Sequence, residues 1–263
     1  MVTPVQFLSV CDEVGVRMAK ELAPMIGTEY GGEVLCIGAD NTPTDRIDRV
    51  AEDLVLSVFQ ERKICRSLLS EETGMVDIGG EVDIAYLDPV DGTFNAVSGI
   101  PFYALSIALS DGAKVIAGYV KNIANGETFT AVRGEGAFLN GKPIRVSTEA
   151  MLDHSAMSVY AKKFDVTRVM QLGHKIRRWR LLGASALELC YVACGRLDGF
   201  VDMRSTLRVT DAAAGILICQ EARGRVSSPD GSPVEFPDNV VSGRCLVATN
   251  RVIHRKVIEY LRS

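Results

Sequence analysis

The sequence predicts a mixed α/β protein of the α+β type, built as two layered halves that pack tightly together. Three observations predict this class: helix-start signals near the N-terminus, short β-rich runs closed by turn residues between residues 102 and 146, and alternating helices and strands after about residue 150. No repeat, low-complexity segment or long linker interrupts the 263 residues. We therefore expect an N-terminal α+β half at residues 1–150 and a C-terminal α/β half at residues 151–263, rather than two tethered domains.

The N-terminal half opens with two helix signals. Thr3-Pro4-Val5-Gln6 combines an N-cap Thr, a Pro at the first helical position and a Gln that can complete a capping box. A second helix is predicted to start at Thr42-Pro43-Thr44-Asp45. Two strands follow in the prediction, one at Leu68-Leu69 and one over Val82–Leu87, with Asp88 at the end of the second.

The region from 102 to 146 is predicted to be an antiparallel meander. Its runs are Tyr103–Leu109, Val115–Val120 and Glu127–Val132, and Asn140-Gly141 is a strong signal for a two-residue hairpin. The C-terminal half is predicted to alternate in the order strand Ser155–Val159, helix Ala186–Cys194, strand Leu197–Val201, helix Asp211–Ala222, strand Leu246–Thr249 and helix Val252–Leu261.

Composition argues against several classes of protein. Apolar residues make up 47% of the chain, which is too much for a mainly disordered protein. The 33 acidic and 29 basic residues give a net charge of -4, which argues against a nucleic-acid partner. No apolar run approaches the roughly 20 residues of a membrane-spanning helix, so we expect no membrane partner. Seven scattered cysteines without a C-x-x-C pair favour a reducing, cytoplasmic setting, and three distant histidines argue against a zinc site.

The most informative motif is Leu87–Asn95, which reads LDPVDGTFN. Asp88 and Asp91 stand three residues apart at a strand end, and Gly92 allows a ligand to approach the backbone closely. Thr93 can begin a helix whose exposed N–H groups favour a phosphate. Because carboxylates repel a phosphate unless a cation lies between them, this combination points to Mg²⁺. Alone, the motif is also compatible with an ordinary surface turn.

Two further acidic features strengthen this interpretation. Glu71-Glu72 follows a predicted strand, as Asp88 does, and strand ends on one side of an α/β sheet share a crevice where ligands bind. Asp211 opens an apolar helix in the segment Val209–Gly215. Each feature has an ordinary alternative, namely a solvated pair of charges and an acid that favours the helix dipole. The combination is therefore more specific than its parts.

Together these motifs resemble the inositol monophosphatase superfamily, the lithium-sensitive, Mg²⁺-dependent phosphatases. The acidic pair, the Asp88–Asn95 run and the Asp211–Gly215 run occur in family order, and the similarity spans nearly the whole chain. The resemblance implies a layered αβαβα sandwich of the sugar phosphatase type. Its first half would carry the metal-binding loops, and its second half would complete the active site and substrate pocket.

Three segments look like the archaeal-type enzymes, which act on both fructose 1,6-bisphosphate and inositol 1-phosphate: Gly38–Thr44, Phe94–Pro101 and Leu207–Asp211. The resemblance predicts a phosphoric monoester hydrolase of gluconeogenesis that removes the 1-phosphate of both substrates. Other superfamily substrates, adenosine 3′,5′-bisphosphate or histidinol phosphate, are alternatives. A catalytically silent sugar-phosphate sensor is a further alternative, against which the full set of expected carboxylates argues. The expected partner is a small sugar or inositol phosphate, and a homodimer is expected by analogy.

The family pattern implies a role for each matching residue. The N–H groups of Gly92 and Thr93 would hold the phosphate, and a metal-activated water would attack phosphorus in line, without a covalent intermediate. Two or three Mg²⁺ ions are implied, with Mn²⁺ able to substitute. Their ligands would be the carboxylates of Glu71, Asp88, Asp91 and Asp211 and the backbone carbonyl of Val90.

The acid that orients the attacking water together with Thr93 is left open between two residues. The archaeal-type pattern favours Asp40, whereas the pattern of the animal inositol phosphatases falls on Asp45. Asp45 also has a structural alternative, since it lies three residues after Thr42 and can complete a capping box.

Two sets of residues are implied as substrate contacts. The loop Gly183-Ala184-Ser185 matches a substrate-contacting segment at a helix start, and Tyr160 falls near it. The inositol-contacting acid of the animal enzymes has no clean match, because Asp202 stands at a different spacing. Four arginines flank the relevant segments and could bind a second phosphate through two hydrogen bonds each: Arg178, Arg180, Arg204 and Arg208.

Overall fold

The computed structural model describes residues 2–161 and 166–262. The helices are α1 Pro4–Leu22, α2 Arg46–Arg62, α3 Thr93–Val97, α4 Thr167–Gly173, α5 Ser185–Ala193, α6 Val209–Glu221 and α7 His254–Arg262. The first ten strands are β1 Val34–Ile37, β2 Pro43–Asp45, β3 Ser67–Ser70, β4 Gly74–Asp77, β5 Ile84–Asp91, β6 Ala104–Ser110, β7 Val115–Asn122, β8 Thr128–Val132, β9 Gly136–Leu139 and β10 Lys142–Pro143. The remaining strands are β11 Ala156–Tyr160, β12 Arg178–Arg180, β13 Gly199–Leu207, β14 Arg225–Ser227 and β15 Arg244–Thr249.

Two large sheets organise the described chain. The first has eight strands in the order β10-β9-β8-β7-β6-β5-β3-β4, and only the β3–β5 pair within it is parallel. The second has five strands in the order β12-β11-β13-β15-β14, with β11 parallel to both of its neighbours. Strands β1 and β2 form a separate antiparallel pair. The proposed division at residue 150 falls between the two large sheets and stays a prediction.

Helices cover both faces of the eight-stranded sheet, and the sequence of β6 shows why. Its side chains alternate between the faces: Leu105 and Ile107 belong to the core beneath α1 and α2, whereas Ala104 and Ala108 belong to the core shared with α5 and α6. That second core also contains Phe200 of the five-stranded sheet, and α4 and α7 cover the far side of that sheet. The layers therefore form the αβαβα sandwich that the resemblance implies.

Two local predictions are confirmed in atomic detail. The hydroxyl of Thr3 accepts the N–H of Gln6 at 3.2 Å, and the Gln6 side chain accepts the N–H of Thr3 at 2.9 Å, so α1 begins with a complete capping box. The antiparallel meander is present, and β9 and β10 are joined through Asn140 and Gly141, which have φ values of 49° and 73°. These left-handed values are the ones that a type I′ hairpin turn requires.

The prediction that a helix starts at Thr42-Pro43-Thr44-Asp45 is wrong. Pro43–Asp45 is a strand that pairs with β1, and α2 begins at Arg46 with Asp45 as its N-cap. The side chain of Asp48 accepts the N–H of Asp45 at 3.2 Å. Since a proline biases the preceding residue toward extended backbone, Thr42-Pro43 is as compatible with an edge strand as with a helix start.

Strand β5 also runs further than predicted, because it continues through Asp91 instead of ending before Asp88. Its register against β6 is irregular between Asp88 and Asp91, which lets both carboxylates reach the same region. Helix α6 begins at Val209, two residues before Asp211. In the described part of the chain, no helix combines the length and the apolar character needed to cross a membrane.

Candidate active site

A cavity of about 500 Å³ lies where β5, the start of α3 and the N-termini of α5 and α6 meet. It brings together most of the residues predicted from the sequence: Asp40, Glu71, Asp88, Val90, Asp91, Gly92, Thr93, Tyr160, Gly183, Ser185, Arg204, Arg208 and Asp211. Four predicted residues are absent from its lining: Asp45, Arg178, Arg180 and Ala184. Residues of the lining that were not predicted include Phe94, Thr206 and Val241.

Three carboxylates form the centre of this cavity. Glu71, Asp88 and Asp211 each offer an oxygen, and these three atoms lie within 4.8 Å of one another. The N–H of Glu71 donates to the carbonyl of Leu87 at 3.2 Å, so the pairing of β3 with β5 fixes its backbone beside Asp88. Burial raises the pKa of both Glu71 and Asp88 well above the usual range, and repulsion between the neighbouring carboxylates adds to the effect.

This donor set fits a hard divalent cation. Close, buried carboxylates are costly to keep together without a positive charge, and the donors are all oxygen atoms, as Mg²⁺ prefers. The neighbouring Asp91 is 7% exposed. Each of its oxygens retains lone pairs beyond the hydrogen bonds described below, so it can add a ligand beside the cluster. The acidic cluster Glu71, Asp88 and Asp211 can therefore hold a metal ion.

Asp91 also fixes the start of α5. Its Oδ1 accepts the N–H of Ser185 at 3.0 Å, and its Oδ2 accepts the N–H of Ala186 at 2.7 Å. First-turn N–H groups have no partner within their own helix, so a carboxylate at this place satisfies them. Burial, followed by the nearby charge of Asp211, raises the pKa of Asp91 to about 8.

The turn after Asp91 requires glycine. Gly92 has a φ of 92°, and a Cβ added there would lie 3.0 Å from the carbonyl oxygen of Gly183 and 3.1 Å from the Cβ of Ala184. Gly92 therefore lets the β5–α3 turn pack directly on the loop before α5. Ala184 is 1% exposed, so it acts in this packing and not in the cavity lining.

The hydroxyl of Thr93 bonds an acid that was not predicted from the sequence. Thr93 Oγ1 lies 2.9 Å from Asp48 Oδ1 and 3.0 Å from the carbonyl oxygen of Val90. Asp48 lies in the first turn of α2 and is 2% exposed. Burial raises the pKa of Asp48, and repulsion from Glu72 adds to it. Among the described residues, no hydrogen bond joins Asp40 or Asp45 to Thr93: Asp40 pairs with Arg208 inside the cavity, and Asp45 is the N-cap residue of α2 outside it.

A sequence signal for Asp48 does exist. Asp48 and Glu52 stand at i and i+4 on the buried side of α2, among apolar residues such as Ile47, Ala51 and Val55. Acids on the apolar side of a helix need partners. Glu52 finds them in Thr73, whose N–H it accepts at 3.0 Å and whose hydroxyl it accepts at 2.5 Å. Helix α2 therefore positions both Thr93 and the loop that carries Glu71.

Arg208 faces the acidic cluster. Its guanidinium pairs with Asp40, lies 2.5 Å from Glu71 Oε1 and lies 3.2 Å from Asp211 Oδ1. The charge of Arg208 therefore offsets part of the negative charge of the cluster. This position does not match the predicted contact with a second phosphate beyond the metal site, because the guanidinium is already engaged by three carboxylates.

Arg204 and Tyr160 form a separate wall of the cavity. The guanidinium of Arg204 lies 4.1 Å from the centre of the Tyr160 ring. It is held by the fully buried carboxylate of Asp202, with 2.6 Å between Nη2 and Oδ2. The predicted arginines of β12 lie elsewhere, because Arg178 and Arg180 are exposed on an edge strand outside the cavity lining.

Comparisons with known proteins agree with this geometry. The model of the inositol monophosphatase family matches residues 8–263. A fructose-1,6-bisphosphatase/inositol-1-monophosphatase from Methanothermobacter thermautotrophicus is 41% identical over 266 residues, covering 94% of this chain and 95% of the relative. A bifunctional NADP phosphatase/NAD kinase from Methanocaldococcus jannaschii is 33% identical over 95% of this chain but only 49% of its own length. The crystal structure of an inositol monophosphatase-fructose 1,6 bisphosphatase matches with a TM-score of 0.89 at 27% identity, covering 96% of this chain and 98% of the other.

Proposed function

Because this chain belongs to the inositol monophosphatase family of metal-dependent phosphatases, we propose that it releases the 1-phosphate of fructose 1,6-bisphosphate and of inositol 1-phosphate. The observation that carries this proposal is the cluster of Glu71, Asp88 and Asp211 beside the β5–α3 turn, in a cavity of about 500 Å³. A relative that is 41% identical over nearly the full length is named for both activities, which supports the same pair of substrates.

We propose Mg²⁺ as the metal, with Mn²⁺ as a substitute. Glu71, Asp88, Asp91 and Asp211, together with the carbonyl oxygen of Val90, would hold two or three ions. When bound, Mg²⁺ neutralises phosphate oxygens and lowers the pKa of a bound water. The N–H groups of Gly92 and Thr93 would hold the phosphate at the same turn.

Thr93 and Asp48 would orient the attacking water. The hydroxyl of Thr93 donates a hydrogen bond to Asp48. The oxygen of Thr93 therefore keeps lone pairs that can accept a hydrogen bond from the water. This arrangement aims the water's own lone pair at phosphorus. Asp40 lines the cavity and remains a second candidate for this role, to be compared directly with Asp48.

Arg204 is the arginine that we propose as the anchor of the second phosphate. Its guanidinium lines the cavity and is kept in place by Asp202 and by the ring of Tyr160. A bisphosphate needs such a cation, because one phosphate would bind at the metal ions held by the acidic cluster and the other would lie on the far side of the sugar.

A second candidate is release of the 2′-phosphate of NADP. The observation that favours it is Phe94, which lines the cavity and is 74% exposed, so its ring is free to stack on a nucleobase. A relative that is 33% identical is named a bifunctional NADP phosphatase/NAD kinase.

The deciding experiment is a substrate panel with free phosphate as the readout. Fructose 1,6-bisphosphate, inositol 1-phosphate, NADP, adenosine 3′,5′-bisphosphate and histidinol phosphate are each incubated with Mg²⁺ and with excess chelator. We expect release from the first two only when Mg²⁺ is present. A higher kcat/KM for NADP than for both would favour the second candidate, and no release from any substrate would contradict a catalytic function.

We also propose a homodimer in a reducing cytoplasm. All seven cysteines are free, which suits a reducing compartment. The apolar side chains of Phe94, Ile100 and Leu181 are exposed and could contact a second copy. Light scattering after size-exclusion chromatography should give twice the mass of 28.5 kDa. A monomer at micromolar concentration would contradict the dimer.

A further inference from the structure

A buried carboxylate lies behind the cavity wall and has no part in the chemistry described above. Glu188 of α5 is fully buried, and no arginine or lysine of the described residues forms an ion pair with it. Burial raises the pKa of Glu188 to about 7. A buried acid of this kind is costly unless every oxygen is hydrogen-bonded.

Three neutral donors satisfy the carboxylate of Glu188. Its Oε1 accepts from the hydroxyl of Ser158 and, at 3.0 Å, from the N–H of Leu182. Its Oε2 accepts from the hydroxyl of Tyr160 at 2.8 Å. The donors come from β11 and from the loop before α5, so one side chain ties these two segments to the helix.

The segments held by Glu188 are parts of the cavity wall. Tyr160 lines the cavity, and the guanidinium of Arg204 rests on its ring. The hydroxyl of Tyr160 also accepts the N–H of Gly183 at 2.8 Å. From the other side, the Asn95 side chain donates to the carbonyl of Leu182 at 2.7 Å, which joins the loop to the β5–α3 turn.

We propose that Glu188 is a positioning residue for substrate selectivity: it fixes Tyr160 and the Leu182–Gly183 loop so that Arg204 faces the part of the substrate away from the reacting phosphate. The proposal rests on the proposed function, because it requires a substrate with a second anionic group. Arg204 forms its ion pair with Asp202, so we expect a change of Glu188 to alter the orientation of the wall and to leave its charge in place.

The test compares three variants: Glu188→Gln, Tyr160→Phe and the double variant. For each, kcat and KM are measured with fructose 1,6-bisphosphate and with inositol 1-phosphate. We expect either single change to raise KM for the bisphosphate about tenfold, as the loss of a hydrogen bond to a charged group predicts. For Glu188→Gln, which lies behind the wall, the kcat for inositol 1-phosphate should stay within about twofold of the wild type. Since Glu188 acts partly through Tyr160, the loss in the double variant should be smaller than the sum of the two single losses.

Tyr86→Phe is the matched control. The Tyr86 hydroxyl donates to Asp238 at 2.6 Å, so it is also a tyrosine–acid pair, but it lines a different cavity. Its KM values should match those of the wild type. Equal losses on both substrates, or additive losses in the double variant, would overturn the proposal.

Tyr160→Phe removes a single oxygen and keeps the test decisive if Glu188→Gln unfolds, which thermal unfolding would reveal. An unchanged KM for the bisphosphate in Tyr160→Phe overturns the positioning role. A wild-type protein that hydrolyses neither substrate overturns the proposed function as well. If the wild type is active but the variants lose activity equally on both substrates, only the role of Glu188 is overturned.

Discussion

The carboxylate of Asp91 accepts the N–H of Ser185 at 3.0 Å, which joins two residues 94 positions apart in the chain. This bond connects the end of β5, in the eight-stranded sheet, to the start of α5, which packs between the two large sheets. The same side chain lies beside the acidic cluster. One residue therefore links the surroundings of the acidic cluster to the packing of the two halves.

Asp91 and Asp88 should respond differently to the same substitution. Asp88→Asn and Asp91→Asn should each abolish turnover, because a neutral amide is a poor ligand for Mg²⁺. Asp91→Asn should also lower the free energy of unfolding by about 1–3 kcal/mol, since one of its two helix-capping oxygens becomes an NH₂ group. The measurements are phosphate release and urea unfolding. Equal stability of the two variants would contradict the capping role of Asp91, and wild-type turnover in excess chelator would contradict the metal site.

The choice among three aspartates can be made by kinetics. We expect Asp48→Asn to lower kcat by at least about 100-fold with a smaller change in KM, because it removes the group that orients Thr93. Asp45→Asn is the matched control, since asparagine caps a helix as well as aspartate does. Its kcat should stay within about twofold of the wild type. A large loss in Asp40→Asn together with a mild effect of Asp48→Asn would move the orienting role to Asp40.

The contrast between Asp45 and Asp48 shows which site residues the sequence alone can predict. The LDPVDGTFN motif identifies its residues because each acts close to the strand end that carries it. Asp48 acts across the fold, on a threonine 45 residues away. Its role depends on where α2 begins, and the Thr42-Pro43 signal misplaced that start by several residues. A pattern along one helix can show that an acid is buried, but it does not show which partner satisfies it.

The positions of the arginine side chains were difficult to predict for a related reason. Arg178, Arg180, Arg204 and Arg208 have similar surroundings in the sequence, yet they lie on an edge strand, on a cavity wall and against the acidic cluster. The side chain of an arginine is long, so its Cα position does not decide where its charge lies. The helices and strands were easier to predict, since they follow from helical periodicity in segments such as α1 and from short runs of β-forming residues such as β6.

These positions predict different kinetic effects for the arginines. Arg204→Ala should raise KM for fructose 1,6-bisphosphate about tenfold or more, with little change for inositol 1-phosphate, because only the bisphosphate uses the second anchor. Arg208→Ala should change kcat for both substrates alike, since Arg208 contacts Glu71 and Asp211. Arg178→Ala is the control on the exposed edge strand. Equal losses on both substrates in Arg204→Ala would contradict its role as the anchor.

His254 should make the protein less stable in mild acid. Its ring nitrogens lie 2.9 Å from the hydroxyls of Ser227 and Thr249, and the residue is 2% exposed. Burial lowers the pKa of His254 to about 4, from its ordinary value of 6.5. The unfolded chain therefore binds a proton at a higher pH than the folded chain. Stability that His254 contributes at pH 7 is lost as the pH falls through 6.5 toward 4.

The expected loss is about 2 kcal/mol between pH 7 and pH 5, from 1.36 kcal/mol per pKa unit. The buried carboxylates Glu71, Asp88 and Asp91 have raised pKa values, so they contribute to the pH dependence of stability with the opposite sign over part of the same range.

The measurement is therefore a difference in the free energy of unfolding between two proteins. The free energy of unfolding in urea is followed from pH 7 to pH 5 for the wild type and for His254→Gln, which keeps hydrogen-bonding groups but does not titrate. The gap between the two curves should shrink by about 2 kcal/mol as the pH falls, because only the unfolded wild-type chain binds a proton at residue 254 in this range, and this proton uptake favours unfolding. Parallel curves would show that His254 does not set the acid sensitivity.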